Sequence, residues 1–389
     1  MIAAALLLLG SGLWWVSDAR GTTVRTDDTP TAGTPLPGPR TLPSSLTQLW
    51  RAPSGATPEP VVTGGTVITG HAGEVTGRDP VTGQARWSYR RELPLCTVGA
   101  AFGQALAVHR EGEFCSEVTA LAPADGSRGA QRTGPLRPPT RLLPEGNLVT
   151  ATGQRYLEVW RSDLVRTLEY GALPTPVKPG AQPRTRCSYG SIAVAAGLLG
   201  VIERCPGERA DRITVQQADP EEPDRPEIEL STLLRGRGAS LVALTPDRSA
   251  VALPDPPRLV VLDNTGQRIV ERGLDIPAAD LRGDPPAGAV PTTVTAGATY
   301  WFTGSATVAL GSPDLLPMWS IPDTLGPGTL LAGRLLVPVP GGLAVVDVTT
   351  GEQVGTLPVD RGGYTGPVEV GSAGDVVLEQ RGDTLVALR

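Results

Sequence analysis

Histidine and lysine are almost missing from this chain of 389 residues. The two histidines are His71 and His109, and the one lysine is Lys178. Hydrolase triads and zinc enzymes need positioned histidines, and the sequence contains neither an HExxH nor a CxxC motif. Clustered basic residues are also absent and the net charge is −6, so nothing favours nucleic acid as a partner. We therefore predict no metal site, no nucleic-acid partner and no enzymatic activity.

Long uninterrupted helical segments are missing as well. The chain contains 48 glycines and 39 prolines, and one or the other interrupts almost every window of helical length. Short apolar stretches separated by turn residues take their place, which is typical of an all-β protein. The length suffices for one large β domain or for two smaller ones.

A weak repeat is the most informative feature that is present. Each copy has an apolar strand, an aspartate with a Thr-Gly turn, and a second strand; the clearest copies are Val75–Tyr89, Leu259–Val270 and Leu343–Leu357. The chain ends with the first half of a copy, Gly382–Arg389, and the missing half lies near the start, at Leu46–Ala52. Pairing of these terminal strands in one blade would close a ring and remove its exposed sheet edge. The sequence therefore predicts a single β-propeller over residues 45–389.

Eight four-stranded blades fit this span, since each would contain about 43 residues, within the usual propeller period. Seven blades with one insertion remain the alternative. The expected blades are 59–91, 96–134, 140–173, 187–232, 239–275, 291–322, 329–360, and 367–389 together with 45–54. Four tryptophans should fill the gaps between adjacent blades, because their side chains are large and flat: Trp50, Trp87, Trp160 and Trp319.

The four cysteines fall into two pairs of similar spacing, Cys96 with Cys115 and Cys187 with Cys205. We predict two equivalent local disulfides that each join neighbouring strands of a blade. Zinc binding is the competing interpretation, but the two histidines do not fit a zinc pattern. Disulfides require an oxidising compartment, so the propeller is expected on the extracytoplasmic side of the membrane.

The N-terminus begins with an uncharged apolar run over residues 2–16. It is shorter than the roughly 20 residues that usually span a bilayer. We predict that residues 1–17 form a single transmembrane helix, with a cleaved signal peptide ending near Ser17–Ala19 as the alternative. Residues 18–44 are rich in Thr, Pro and Gly and lack periodicity, which indicates a disordered stalk.

The stretch from Asp79 to Trp87, Asp-x-x-Thr-Gly-x-x-x-Trp, resembles the repeat of PQQ-like (quinoprotein-like) propellers. The resemblance extends over most of residues 45–389. The chain is further similar to a family of actinobacterial, membrane-anchored PQQ-like propellers of unassigned function. This second resemblance rests on Trp14–Asp18, Gly77–Pro80, Tyr300–Ser305, Leu325–Thr329, Arg361–Gly366 and Gly382–Leu388. It implies a fold and an extracytoplasmic, membrane-tethered location, and no reaction.

The resemblance to quinoproteins raises the question of PQQ. The dehydrogenases of that group hold the cofactor with an adjacent cysteine pair, a tryptophan platform and a calcium site of Glu, Asn and Asp. This chain has no adjacent cysteines, and its asparagines are limited to Asn147 and Asn264. We therefore expect no cofactor, and we regard a quinoprotein oxidoreductase as an unfavoured alternative.

Because we expect no catalytic, metal or cofactor site, we look for functional residues in the surface loops. Arg361 and Tyr364 stand among glycines, and both residue types are favoured at interaction hot spots. They are the candidate interaction loop, with a structural connection between blades as the alternative. The sequence thus predicts a non-enzymatic, membrane-tethered platform for other cell-envelope proteins. A propeller that binds a small quinone-like or sugar-like ligand in its central funnel is the second hypothesis.

Overall fold

The computed structural model describes residues 21–26, 35–173, 178 and 180–389. Within these residues, 33 strands form eight antiparallel sheets arranged as the blades of one propeller. The predicted all-β propeller of eight four-stranded blades is confirmed.

Two strands precede the first complete blade: β1 (Thr22–Thr26) and β2 (Gln48–Pro53). Blades one to four follow in chain order and contain β3 (Val61–Thr63), β4 (Thr66–His71), β5 (Glu74–Arg78), β6 (Ala85–Arg91), β7 (Leu95–Ala101), β8 (Gln104–Glu111), β9 (Phe114–Leu121), β10 (Arg128–Thr133), β11 (Leu142–Glu145), β12 (Leu148–Ala151), β13 (Tyr156–Arg161), β14 (Arg166–Gly171), β15 (Ser188–Ala195), β16 (Leu198–Arg204), β17 (Arg212–Gln217) and β18 (Ile228–Leu233). Blades five to eight contain β19 (Ser240–Leu244), β20 (Arg248–Pro254), β21 (Pro257–Asp263), β22 (Arg268–Gly273), β23 (Thr292–Val294), β24 (Ala298–Phe302), β25 (Ala306–Gly311), β26 (Pro317–Pro322), β27 (Thr329–Leu331), β28 (Arg334–Val339), β29 (Gly342–Val346), β30 (Gln353–Pro358), β31 (Val368–Ala373), β32 (Val376–Arg381) and β33 (Thr384–Leu388).

The ring closes in blade eight, where the two ends of the propeller pair. Strands β31, β32 and β33 come from the C-terminal end, and β2 adds the outermost strand with Trp50 opposite Ala387. Thr47 and Arg389 exchange two backbone hydrogen bonds of 2.9 Å beyond the end of the ladder. The predicted closure by pairing of N- and C-terminal strands is thus confirmed.

The first strand of each blade lies innermost. Strand β3 contacts β7, β7 contacts β11, β11 contacts β15, and β31 contacts both β27 and β3, so these strands surround a central channel. Strand direction alternates within a blade, so hairpins one–two and three–four emerge at the same end of the ring. We call that end the turn face. The opposite end, the loop face, carries the two–three hairpins and the connections between blades.

Apolar residues fill the space between neighbouring sheets. Between blades six and seven, for example, Tyr300 and Ala309 pack with Leu335, Ala344 and Val346, and all five are buried. Both faces of the inner strands are covered in this way, which explains why these strands are nearly continuous apolar runs of small and β-branched residues.

The N-terminal region differs from the sequence prediction in one respect. Strand β1 pairs with β6 at the outer edge of blade one, although residues 18–44 were expected to be a disordered stalk throughout. The predicted transmembrane segment, residues 1–17, lies outside the described residues. In the described ranges no helix is long and apolar enough to cross a bilayer, and the helical segments there are the 3-10 turns Ala278–Leu281 and Pro286–Gly288.

Candidate functional site

On three blades, a tryptophan of the outer strand forms a hydrogen bond to the blade that follows. We call this contact a tryptophan lock. Their indole Nε1 atoms donate hydrogen bonds to backbone carbonyl oxygens of the next blade: Trp50 to Pro80 (2.8 Å), Trp87 to Pro123 (2.9 Å) and Trp319 to Val348 (3.1 Å). The accepting residues lie in the Asp-Gly turns of the repeat. Each of these tryptophans therefore contacts the Asp-Gly turn of the blade that follows its own.

The glycine of each of these turns lies directly under the indole. Gly83, Gly126 and Gly351 have φ values of 71°, 70° and 74°, a conformation that favours glycine. A Cβ atom on any of them would come within 2.5 Å of the tryptophan ring. Glycine is thus required at this position for two reasons. The turn needs a positive φ, and the tryptophan ring of the preceding blade leaves no space for a side chain.

The aspartate of the repeat stabilises the same turn by accepting hydrogen bonds from its backbone. The Asp347 carboxylate accepts hydrogen bonds from the backbone N–H groups of Thr349 and Thr350, and it pairs with Arg334. The backbone bonds from Thr350 and Thr349, and then the Arg334 cation, lower the pKa of Asp347. Asp79 bonds Val81 and Thr82 in the same manner.

Trp160 also lies between blades, but in a different position. It is on the third strand of blade three, fully buried in the cluster shared with blade two. Its Nε1 donates to the buried Glu158 carboxylate at 2.7 Å, and Arg132 of blade two pairs with the same carboxylate. Here an ion pair, and no turn glycine, completes the contact between the blades.

Both predicted disulfides are confirmed, Cys96–Cys115 and Cys187–Cys205. Each lies at the loop face and joins the start of a blade's first strand to the region of its two–three hairpin. The two bonds are in blades two and four, and the cysteine side chains are largely buried.

The candidate interaction pair at Arg361 and Tyr364 requires a correction. The Arg361 side chain is 4% exposed, and its guanidinium donates to both oxygens of the buried Glu379 at 2.7 and 3.1 Å. It also donates to the carbonyl oxygens of Val339 (2.7 Å) and Gly342 (2.9 Å). With its donors committed inside the protein, Arg361 joins blade seven to blade eight and offers nothing to a partner.

Tyr364 is half-buried beside this ion pair. Its ring packs against the apolar cluster shared by blades seven and eight, and its hydroxyl donates to the Pro367 carbonyl oxygen at 2.8 Å. The side chain also borders the cavity at the loop-face end of the channel. The structural alternative for this loop, a connection between blades, is the one that the geometry supports.

The channel opens into a cavity of about 560 Å³ at the loop face. Glu369, on the innermost strand β31, lines this cavity with Arg141. Among the described residues no hydrogen bond reaches the Glu369 carboxylate, and Arg141 pairs with Glu59 at 3.3 Å. Burial raises the pKa of Glu369 to about 7, against the opposing effect of Arg141 and with a further rise from Glu59.

The cavity does not fit PQQ. None of the residues that line it is a cysteine or an asparagine, and the described cysteines are all held in disulfides. In the described part of the chain, no group of three or more His, Cys, Asp and Glu side chains is placed to hold a metal ion. The donor set that the resemblance to quinoprotein dehydrogenases would require is therefore not assembled here.

Most of the large exposed apolar side chains lie near the turn-face ends of their strands, a feature that the sequence analysis missed. Six of them, on blades five to seven, form what we call the turn-face patch: Ile269, Val294, Leu316, Met318, Leu330 and Val354, with exposed fractions of 38 to 73%. Leu49, Val165 and Ile228 are exposed toward the same face. Within the described blades, Leu233 is the large apolar side chain that is exposed toward the loop face. Several of these residues open a fourth strand directly after a turn, which is the sequence signal that could have identified them.

The channel mouth adjoins this face. A cavity of about 340 Å³ there is lined largely by apolar residues of the inner strands, among them Leu143, Val194, Leu241 and Leu244, and also by Val294 of the turn-face patch. The loop face, by contrast, has charged residues such as Asp280, Arg282 and Asp284 around its cavity.

Eight four-stranded blades and closure by an outer N-terminal strand define an eight-bladed β-propeller. BamB from Moraxella catarrhalis has this fold, with a TM-score of 0.55 and 14% identity over 88% of this chain and 99% of that one. The dihydro-heme d1 dehydrogenase NirN in complex with DHE superposes with a TM-score of 0.50 and 13% identity, over 78% of this chain and 66% of its own. Apo AztD from Citrobacter koseri gives 0.50 and 12%, over 80% and 87%.

No protein-family model and no curated protein matches the sequence. At these identities the structural likeness defines the fold alone.

Proposed function

We propose that this protein is a non-enzymatic interaction platform on the extracytoplasmic side of the cell membrane. Its N-terminal segment tethers it, and the turn-face patch binds another protein of the cell envelope. The patch is the single observation that carries the proposal. Apolar side chains scattered over a surface need no explanation, whereas their concentration on one face is typical of a protein-binding surface.

The physical reasoning concerns the cost of leaving this face in water. Removing apolar surface from water is worth about 25 cal/mol per Å², so a partner that covers side chains as exposed as Val294 gains binding free energy from each. The patch includes Met318, whose flexible thioether adapts to a partner's shape. The surrounding strand ends are rich in Arg, Gln and Glu, which supply the polar rim of such an interface.

The two disulfides support the proposed location, because such bonds form and persist outside the cytoplasm. The BamB-like fold is compatible with this role and adds no partner of its own.

Charge substitutions in the patch test the proposal. We predict that Val294→Asp with Met318→Asp abolishes capture of a defined cell-envelope protein, because a desolvated carboxylate opposes burial of this face. Affinity capture after in-cell cross-linking, followed by binding of the purified pair, measures the effect. Binding should weaken at least tenfold.

Leu233→Asp is the matched control, since Leu233 is 49% exposed but points toward the loop face. It should leave the captured protein and its affinity unchanged. Equal loss in the two variants would indicate damage to the fold, and unchanged capture in both would contradict the turn-face proposal.

The loop-face cavity favours a second function, binding of a small polar ligand of the quinone or sugar type. The specific observation is Glu369, whose half-buried carboxylate has no hydrogen bond within the described residues and lines the cavity. A ligand hydroxyl or ring N–H would supply the missing partner. Screening by melting temperature should then show a stabilising ligand whose effect is lost in Glu369→Gln, and no such ligand would leave the cavity without this role.

A further inference from the structure

Blade one differs from the other blades because, in the described residues, it carries a fifth strand. Strand β1 pairs antiparallel with the outer strand β6, from Thr22 opposite Arg91 to Thr26 opposite Trp87. The other seven sheets end at a fourth strand. Blade one has its four strands without β1, and β2 closes the ring without it. The pairing thus covers an edge that the propeller does not need covered for its own completeness.

Strand β1 is held mainly through its backbone. The Gly21 carbonyl oxygen accepts a hydrogen bond of 3.1 Å from the Glu92 N–H. Because hydrogen-bonded pairs alternate in an antiparallel ladder, the next ones are Thr23 with Arg90 and Arg25 with Ser88. The side chains of β1 add little burial, and its one large apolar residue, Val24, is 43% exposed. Another extended chain could make the same backbone bonds.

The side chains beside β1 select the kind of chain. Thr23 and Arg25 border a cavity of about 280 Å³ together with Glu74, Ser88 and Glu92. Neither Glu74 nor Glu92 forms an ion pair with a described cation. Glu74 accepts a hydrogen bond from Thr76 Oγ1, and the charged groups that the propeller places at this cavity are Glu74, Glu92 and Arg90. The excess of negative charge favours a basic residue in the strand that occupies this position.

We propose that the outer edge of β6 is a strand-binding surface, which residues 22–26 occupy in the free protein. In the complex it binds an extended basic segment of a partner protein, antiparallel to β6. The incoming segment replaces backbone bonds one for one, so its advantage over β1 comes from basic side chains near Glu74 and Glu92. This surface lies apart from the turn-face patch, and either proposal can fail without the other.

Prolines at alternate positions of β1 release the strand selectively. Thr23→Pro with Arg25→Pro removes the two N–H groups that face β6 and places rings against it. Thr22→Pro with Val24→Pro is the matched control, because those N–H groups point away from β6. Hydrogen exchange should accelerate at least tenfold at Ser88 and Arg90, whose amides face β1, in the first variant of the full chain only.

A labelled peptide with the sequence of residues 21–26 then probes the released edge. We expect it to bind the first variant at least tenfold more tightly than the wild-type or control protein, and a peptide carrying Arg25→Glu to bind at least tenfold more weakly. Three results would overturn the proposal: Ser88 and Arg90 stay protected in the first variant, or they are released without peptide binding, or the first variant forms dimers that exclude the peptide, which would make the occupant a second copy.

Discussion

At the scale of single residues, the titration of Glu369 makes the stability of the protein depend on pH. Burial, despite the opposing effect of Arg141, raises the pKa of Glu369 from 4.5 to about 7, so the folded protein holds this proton more tightly than the unfolded chain does. Stability must therefore fall as pH rises from about 4.5 to 7. Glu369→Gln removes the titration and keeps the shape of the side chain.

We predict that Glu369→Gln and wild type differ little at pH 4.5 and that the variant is more stable above pH 7, by about 1–3 kcal/mol. Urea denaturation at intervals between pH 4.5 and 8 measures the difference. A constant difference across this range would show that the carboxylate is solvated and would contradict its assigned surroundings.

The pairing of the cysteines could be predicted from the sequence, whereas the burial of Arg361 and His109 could not. Cys96, Cys115, Cys187 and Cys205 pair as predicted. Cys187–Cys205 joins the ends of neighbouring strands as expected, whereas Cys96–Cys115 joins the first strand of its blade to the third. Arg361 could not be interpreted correctly, because its partner Glu379 belongs to the next blade and only the fold brings them together. His109 lies buried on β8, where burial lowers its pKa to about 4 despite its hydrogen bond to Gly73.

At the scale of elements, the contribution of a tryptophan lock to stability can be measured separately from that of the turn. Gly351 and Gly333 have the same φ of 74°, so Gly→Ala imposes similar backbone strain at both positions. A Cβ on Gly351 would lie 2.5 Å from the Trp319 ring, whereas a Cβ on Gly333 meets nothing within 4 Å.

We predict that Gly351→Ala lowers the free energy of unfolding by about 1–3 kcal/mol more than Gly333→Ala, because the indole must move. Equilibrium denaturation followed by tryptophan fluorescence reports both variants. Equal losses would mean that Trp319 adapts freely and that the lock contributes nothing beyond the turn.

The strands themselves followed closely from the sequence. Blade seven was predicted at 329–360 and spans Thr329–Pro358, since period-two apolar runs and Asp-Gly turns are local signals. Strand β1 was missed because its residues, Thr-Thr-Val-Arg-Thr, carry no apolar periodicity and pair with β6 mainly through the backbone. The exposed apolar residues at the starts of fourth strands were missed because exposure depends on the neighbouring blade.

At the scale of the whole molecule, closure gives the ring two unlike ends. Strand β2 pairs with β33 and leaves all eight blades in one circle, with turns at one end and inter-blade loops at the other. The loop face carries both disulfides, the Arg361–Glu379 ion pair and a cavity lined by charged and apolar residues. The turn face carries the apolar patch. Contacts that stabilise the fold lie at both ends, since the tryptophan hydrogen bonds to the repeat turns are at the turn face. We propose that recognition of a partner takes place at the turn face.

Site-specific photo-cross-linking in the intact cell tests this assignment most directly. A photoreactive amino acid placed at Val294, in the patch, is compared with one at Leu233, toward the opposite face. We predict that position 294 yields a discrete cross-linked product with one cell-envelope protein and that position 233 does not. The same product from both positions, or products from position 233 alone, would contradict the turn face as the recognition surface.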